Sequence, residues 1–309
     1  MGFLAILKKY NMLWRLQRIA LSSMGLTLKM LHSKDPSIYY TALGDDVIPT
    51  LNGNFENMSK PLWLNLGYWK DAQTYPEACR AMAIMLGETA ELKTTDTVLD
   101  VGCGFGEQDA LLVEQFRVTR IMGIDITPVH VTVGQERLRA KQLDARITLA
   151  VGSAVQTGYP DNFFEKVVAL ECAFHFKTRE QFFGEAFRVL KPGGRFALTD
   201  MLPSPGKSFS GVIRRIARKC ACIPEENMYD RIGYAEKLEA IGFTDIKVLS
   251  IPGYVYPGMA QYVVNRLTKQ ADYNARIERL TNEDIETVKG VMWDAMGISD
   301  YIIVTACKP

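Results

Sequence analysis

Histidine is scarce in the 309-residue chain, net charge is nearly absent, and no two cysteines fall in a metal-binding pair. Each lack removes a class of function. Three histidines, His32, His130 and His175, cannot build a His-rich metal centre, so no metal is expected. The six cysteines are scattered, Cys220 and Cys222 standing closest, without a C-x-x-C spacing. Neither a zinc site nor a disulfide framework is implied, and a reducing cytoplasm is the natural setting. With 36 basic and 35 acidic residues the net charge is +1, which gives no global pull toward nucleic acid.

Acid is missing altogether from residues 1–34, which carry Lys8, Lys9, Arg15, Arg18, Lys29 and Lys34. Phe3, Ile6, Leu7, Tyr10, Leu13 and Trp14 recur there at roughly helical spacing. The longest uncharged run in this segment, Ile19 to Leu28, is too short and too polar to span a bilayer, which takes ~20 residues. No small-residue cleavage site follows a signal-like core. The expectation is a basic amphipathic extension over 1–60 that packs on the rest of the chain as a lid. A peripheral contact of residues 1–34 with a membrane surface is the competing reading.

What is present is an alternation of strand and helix. An aromatic approach, "PLWLNLGYW", leads into a helix from about Tyr75, and a strand follows over Thr97–Val101. Further strands are expected at 120–126, 147–151, "FFEKVVAL", "GRFALTD", "IKVLSI" and "YIIVTACKP". "KPGG" at 191–194 reads as a helix stop and turn before the fifth strand, and 257–292 as one helical stretch. The fold class implied is α/β: a Rossmann-like, doubly wound, mostly parallel seven-stranded sheet. It carries the helical N-terminal extension and an inserted acceptor-binding segment at about 203–230, within a domain over 61–309.

The stretch "DTVLDVGCGFGEQDALLVEQF" (96–116) carries the most information. Gly102, Gly104 and Gly106 fall between a buried strand and a helix, where glycine permits a tight turn and close approach of the backbone to a ligand. Asp125 in "IMGIDIT" lies 19 residues beyond Gly106, the spacing of an acid that closes the second strand and accepts a ribose hydroxyl pair. A plain helix-capping Asp fits the same position. A dinucleotide oxidoreductase is disfavoured by glycines at alternate positions, by a chain that ends on a strand, and by the lack of a Tyr-x-x-x-Lys pair.

The succession "VLDVGCGFG", "GID", "VGSAVQTGYPDNFFEKVVALECAFHF" and "VLKPGGRFALTD" resembles the class I S-adenosylmethionine-dependent methyltransferases over residues ~60–250. Within them it is similar to natural-product enzymes that O-methylate a macrolide sugar, through Asn65-Leu66-Gly67-Tyr68-Trp69, Gln108-Asp109, Asp125 to His130, Gly152-Ser153-Ala154 and Glu171 to His175. The resemblance implies S-adenosyl-L-methionine as cofactor. Gly102, Gly104, Gly106 and Gln108 should admit the methionine part, with Asp100 near its ammonium. Asp125 should hold the ribose, Ile126 should flank the adenine, and Ser153-Ala154 should meet its edge, Ser153 standing where many relatives carry Asp. Tyr68 and Trp69 should close over the cofactor, and Glu171 should be a cofactor or scaffold contact.

His175 is the candidate general base if the acceptor is a hydroxyl, with Asp200 as the matching acid after the fifth strand. His130 reads as surface or packing. Phe174, Phe176 and Tyr229 suggest an apolar acceptor lining, and Arg214, Arg215 and Arg218 could cradle a phosphate. Two acceptors therefore stay open: a hydroxyl on a small apolar natural product, favoured, or the double bond of a prenyl diphosphate, C-methylated. A non-catalytic binding module is the alternative of another class. The partner expected is a small-molecule acceptor, no nucleic acid, and a homo-oligomer stays open.

Overall fold

A computed structural model describes residues 60–203, 211, 215, 218–219, 221–269, 276–294 and 297–309. The basic N-terminal segment, with His32, and Arg214 lie outside the described residues.

Helix α1 (Tyr75–Thr89) starts where its sequence says it should: the Thr74 hydroxyl accepts from the Glu77 N–H, and the Glu77 carboxylate answers the Thr74 N–H, with Pro76 in the first turn. It buries Tyr75, Ala78, Cys79, Met82, Ala83 and Leu86. Strand β1 (Thr97–Val101) and helix α2 (Glu107–Phe116) follow, then β2 (Arg120–Asp125), α3 (Pro128–Ala140), β3 (Ile147–Val151) and β4 (Phe164–Leu170). Next come α4 (Arg179–Val189), β5 (Leu190–Leu202), α5 (Arg231–Ile241) and β6 (Thr244–Ser250). Helices α6 (Tyr256–Lys269) and α7 (Asn282–Met292) precede the last strand, β7 (Asp300–Cys307).

All seven strands form one sheet in the order β3-β2-β1-β4-β5-β7-β6. Strands β1 to β5 pair in parallel, and β7 runs antiparallel between β5 and β6. Alternation along each strand divides the core into two layers. Val98, Val168, Ala197 and Tyr301 pack toward α1 and α2, whereas Leu99, Val167, Phe196 and Ile302 pack toward α4 and α5. The strand order reverses between β1 and β4, so a crevice opens at their carboxyl ends, where an open α/β sheet binds its ligands.

Two expectations need correction. Strand β5 begins at Leu190, before "KPGG"; Gly193, at φ +75°, bends the chain inside it opposite a register shift at Phe164/Lys166. The stretch 257–292 is two helices, because the Thr281 hydroxyl caps a new start by accepting from the Asp284 N–H at 3.2 Å, and residues 276–281 are not helical.

Candidate active site

The turn after β1 is held by its glycines. Gly102 and Gly104 adopt left-handed φ of +76° and +55°, and a Cβ on Gly102 would stand 2.6 Å from the Cys172 Sγ. One on Gly104 would stand 3.0 Å from Leu64 Cδ1, so Gly102 has no room for a side chain and Gly104 is tightly faced. The N–H groups of Gly102 and Cys103 both donate to the Ile124 carbonyl, at 2.8 and 3.1 Å, fixing the turn to the end of β2.

That end carries Asp125. Its Oδ2 accepts from the Gly104 N–H at 3.0 Å and its Oδ1 from the Thr127 N–H at 2.8 Å, with His130 Nδ1 at 3.5 Å. Burial works against the charge. The His130 ring, through its hydrogen bond and its charge, outweighs it together with the two N–H donors and holds the carboxyl below its ordinary value. Asp125 is thus a carboxylate at neutral pH, and with two N–H donors engaged it keeps acceptor capacity for a hydroxyl pair. His130, read from sequence as surface or packing, is buried, with its ring centroid 4.5 Å from that of Phe105. Beside Asp125, Ile126 is 43% exposed, an apolar side chain left uncovered at the crevice, and Ser153 and Ala154 after β3 are half-buried.

Under the turn lies a second acidic group. Asp100 and Asp109 are fully buried, and Gln108 Nε2 donates to Asp100 Oδ2 at 2.7 Å. Burial pushes Asp100 up to about 6, against hydrogen bonds from Asp109 and Gln108. Burial and then the Asp100 charge push Asp109 well above the carboxylate range. Ionisation of either carboxyl thus works against ionisation of the other. In the sequence Asp109 stands only as part of the Gln108-Asp109 likeness, with no role given to it; a buried acid in the first turn of a helix looks there like ordinary capping.

At the end of β4, Glu171 sits at φ +53°, a left-handed conformation unusual for a side-chain-bearing residue. Both its oxygens accept from the Leu66 N–H, at 2.9 Å each, and the Tyr301 hydroxyl donates to Oε1. Burial raises the carboxyl to about 7, opposed by the Tyr301 and Leu66 hydrogen bonds. The segment it meets, Asn65–Trp69, splits its two aromatics. Trp69 differs from expectation: it is buried, its Nε1 donates to the Leu66 carbonyl at 2.7 Å, and its ring lies 6.5 Å from Tyr75 and 6.2 Å from Tyr262. Tyr68 is half-buried, 5.4 Å from the partly exposed Tyr254 ring.

His175 ends a short 3-10 turn, Ala173–His175, and is buried with its ring 3.9 Å from that of Phe174. Its Nδ1 stands 3.3 Å from the Cys222 carbonyl of the inserted segment. Burial pushes the imidazole down to about 4, opposed by the Cys222 carbonyl and reinforced by the Arg179 charge. Phe174 packs with Ile223 and Ile298, and Phe176 meets Phe182 edge-on at 4.9 Å. The side chain of Asn227, missed from sequence, ties the inserted segment to this turn: Nδ2 donates to the Phe174 and Phe176 carbonyls, at 3.1 and 2.7 Å, on either side of His175.

Asp200 does not stand free beside His175. Fully buried, it accepts from Arg179 Nε at 2.7 Å, from the Tyr234 hydroxyl at 3.1 Å and from the Met201 N–H at 2.8 Å. Tyr229 lies against the same guanidinium, 5.2 Å from its ring centroid. The two described arginines of the expected cradle both face an acid. Arg218 is buried and pairs with Glu225 at 3.0 Å, while the exposed Arg215 faces the same carboxylate at 4.0 Å. Among the described residues no group of three or more His, Cys, Asp or Glu could hold a metal.

A seven-stranded sheet in this order, a glycine turn after β1 and a carboxylate after β2 define a class I S-adenosylmethionine-dependent methyltransferase. The residues fit that cofactor: the turn leaves a cradle that a Cβ would fill, next to an ionised carboxylate and an uncovered isoleucine.

Comparison with known proteins agrees. Residues 99–198 match the methyltransferase domain family. The chain is 33% identical over 264 residues to the erythromycin 3''-O-methyltransferase of Saccharopolyspora erythraea, covering 82% of this chain and 86% of that one. It is 35% identical over 268 residues to the 27-O-demethylrifamycin SV methyltransferase of Amycolatopsis mediterranei, covering 82% and 94%. The fold is shared with a geranyl diphosphate methyltransferase solved with its diphosphate and sinefungin (TM-score 0.64, 16% identity, 86% and 96% of the two chains). It is shared too with the phosphoethanolamine N-methyltransferase 2 of Haemonchus contortus in complex with S-adenosyl-L-methionine (TM-score 0.61, 21% identity, 75% and 53%). The chain belongs to the class I S-adenosylmethionine-dependent methyltransferases.

Proposed function

We propose that the enzyme methylates a hydroxyl group of a small, largely apolar natural product. S-adenosylmethionine, when bound, supplies a methyl group on a sulfonium that is its own leaving group, so the protein's task is alignment, desolvation and removal of one proton. Asp125 holds the ribose hydroxyls, the turn Gly102–Gly106 admits the methionine part, and the Asp100–Asp109 pair meets its ammonium. Ile126, Ser153 and Ala154 line the adenine side, and Tyr68 covers the cofactor. His175, neutral at working pH, takes the acceptor's proton. Phe174, Phe176 and Tyr229 supply the apolar wall that keeps water from the reacting oxygen.

The observation behind the hydroxyl reading is the placement of this imidazole, enclosed at the carboxyl end of β4 with its Nδ1 3.3 Å from the Cys222 carbonyl. The two relatives named above are themselves methyltransferases of an erythromycin and a rifamycin. A prenyl diphosphate is disfavoured because Arg218 and Arg215 are both directed to Glu225. Among the described residues no helix is long and apolar enough to cross a membrane. We infer that the enzyme works in the cytoplasm, in keeping with the unpaired thiols of Cys79, Cys103 and Cys172. The lid and membrane readings of residues 1–34 lie outside the described residues.

Purified enzyme incubated with methyl-labelled cofactor and a panel of hydroxylated sugars, phenols and prenyl diphosphates tests the reading. Label should appear in a methyl ether. Label on carbon of a prenyl diphosphate, with none on the hydroxylated acceptors, would overturn it.

A further inference from the structure

The end of β4 carries an interaction that methyl transfer itself does not call for. Glu171 is held in a left-handed conformation, and its carboxyl spends both oxygens on one backbone N–H, that of Leu66, 105 residues away in sequence. The Tyr301 hydroxyl, from the antiparallel strand β7, donates to Oε1 of the same carboxyl. Strain at a side-chain-bearing residue persists only where the surroundings over-determine it, and here three elements do so.

The segment gripped in this way bends sharply one residue later. Gly67 has φ +80°, and a Cβ there would lie 2.6 Å from the Ala78 Cβ. Its N–H donates to the Asn65 side-chain oxygen at 2.9 Å, and the Tyr68 N–H donates to the Ala78 carbonyl at 2.8 Å. The chain therefore enters the bend from the Glu171 contact and leaves it on α1, with Tyr68 carried between the two anchors.

We propose that Glu171 is a positioning residue: by fastening the Leu66 N–H to the end of β4 it fixes Tyr68 over the cofactor, without touching the cofactor itself. The proposal rests on the reading of Tyr68 as a cofactor contact. A carboxylate in direct contact with the cofactor would act through its charge. A carboxylate that acts only by accepting hydrogen bonds, here from Leu66 and Tyr301, is replaceable by an oxygen acceptor of the same reach, and its effect disappears once Tyr68 is gone.

Calorimetric titration with S-adenosylhomocysteine separates these cases, using Glu171→Ala, Glu171→Gln, Tyr68→Ala and the Glu171→Ala/Tyr68→Ala double variant, each checked for an intact melting transition. Glu171→Ala should weaken binding ~10-fold and Glu171→Gln less than ~3-fold, since the amide oxygen still accepts from Leu66. The double variant should bind no more weakly than Tyr68→Ala alone. The proposal is overturned if Gln is as damaging as Ala, if the two losses multiply in the double variant, or if Glu171→Ala binds normally. Unchanged affinity in Tyr68→Ala alone would instead remove the Tyr68 reading, and the proposal with it.

Discussion

Replacing His175 by Gln should change how stability responds to acid. The imidazole is pushed from 6.5 down to about 4, chiefly by burial. Between these values the unfolded chain binds a proton at this residue that the native protein refuses. Its contribution is therefore intact above pH 6.5 and is lost as pH falls toward 4. Integrated from pH 7 to pH 4.5, the loss is roughly 2 kcal/mol. Glu171 works in the opposite sense. Its carboxyl is raised from 4.5 to about 7, so the native protein holds a proton that the unfolded chain releases, a contribution present below pH 4.5 and lost as pH rises through 7. The two slopes largely cancel in the wild type, which is why a comparison of variants is needed. Urea unfolding at pH 7 and pH 4.5 should show His175→Gln gaining about 2 kcal/mol relative to wild type on acidification, and Glu171→Gln losing a similar amount. If the His175→Gln and wild-type curves stay parallel, the imidazole is solvated and the site is not the dry, neutral one described.

Asp125→Ala should weaken S-adenosylhomocysteine binding by ~1–3 kcal/mol through lost charge-assisted hydrogen bonds, read by calorimetry. His130→Phe keeps the packing on Phe105 but removes the partner that lowers the Asp125 pKa; cofactor affinity should then fall earlier as the solution is acidified, and an unshifted pH profile would deny His130 that role. Gly102→Ala places a methyl 2.6 Å from the Cys172 Sγ at a positive φ, and should lower stability by ~1–3 kcal/mol in a thermal melt. Asp200→Asn leaves the buried Arg179 short of its counter-charge and should cost ~3–5 kcal/mol of stability. Full stability with lost turnover would return Asp200 to the chemistry.

What sequence made legible was local. The glycine turn and Asp125 announce themselves because strand, turn and acid follow within one β-α-β unit, and the structure joins them through the Gly104 N–H. The parallel strands β1 to β5 were readable as buried apolar runs, and the antiparallel β6 and β7 by their β-branched content. Partners at long range were not. Arg179 reaches Asp200 across 21 residues and Tyr301 reaches Glu171 across 130, and no spacing rule forecasts either. The same blindness made Arg218 look like a free cation when it is buried against Glu225, and Trp69 look like a cofactor cover when Tyr75 and Tyr262 enclose it. His130 was read only as surface or packing, because a histidine at a helix start gives no sign of whether it faces solvent or an acid five residues back.

A crystal structure of the complex with S-adenosylhomocysteine bears on all of this at once. The ribose hydroxyls should lie within hydrogen-bonding distance of the Asp125 carboxylate, with the amino-acid end over Gly102–Gly106. A ribose bound anywhere else, with Asp125 still turned only to Gly104, Thr127 and His130, would contradict the account.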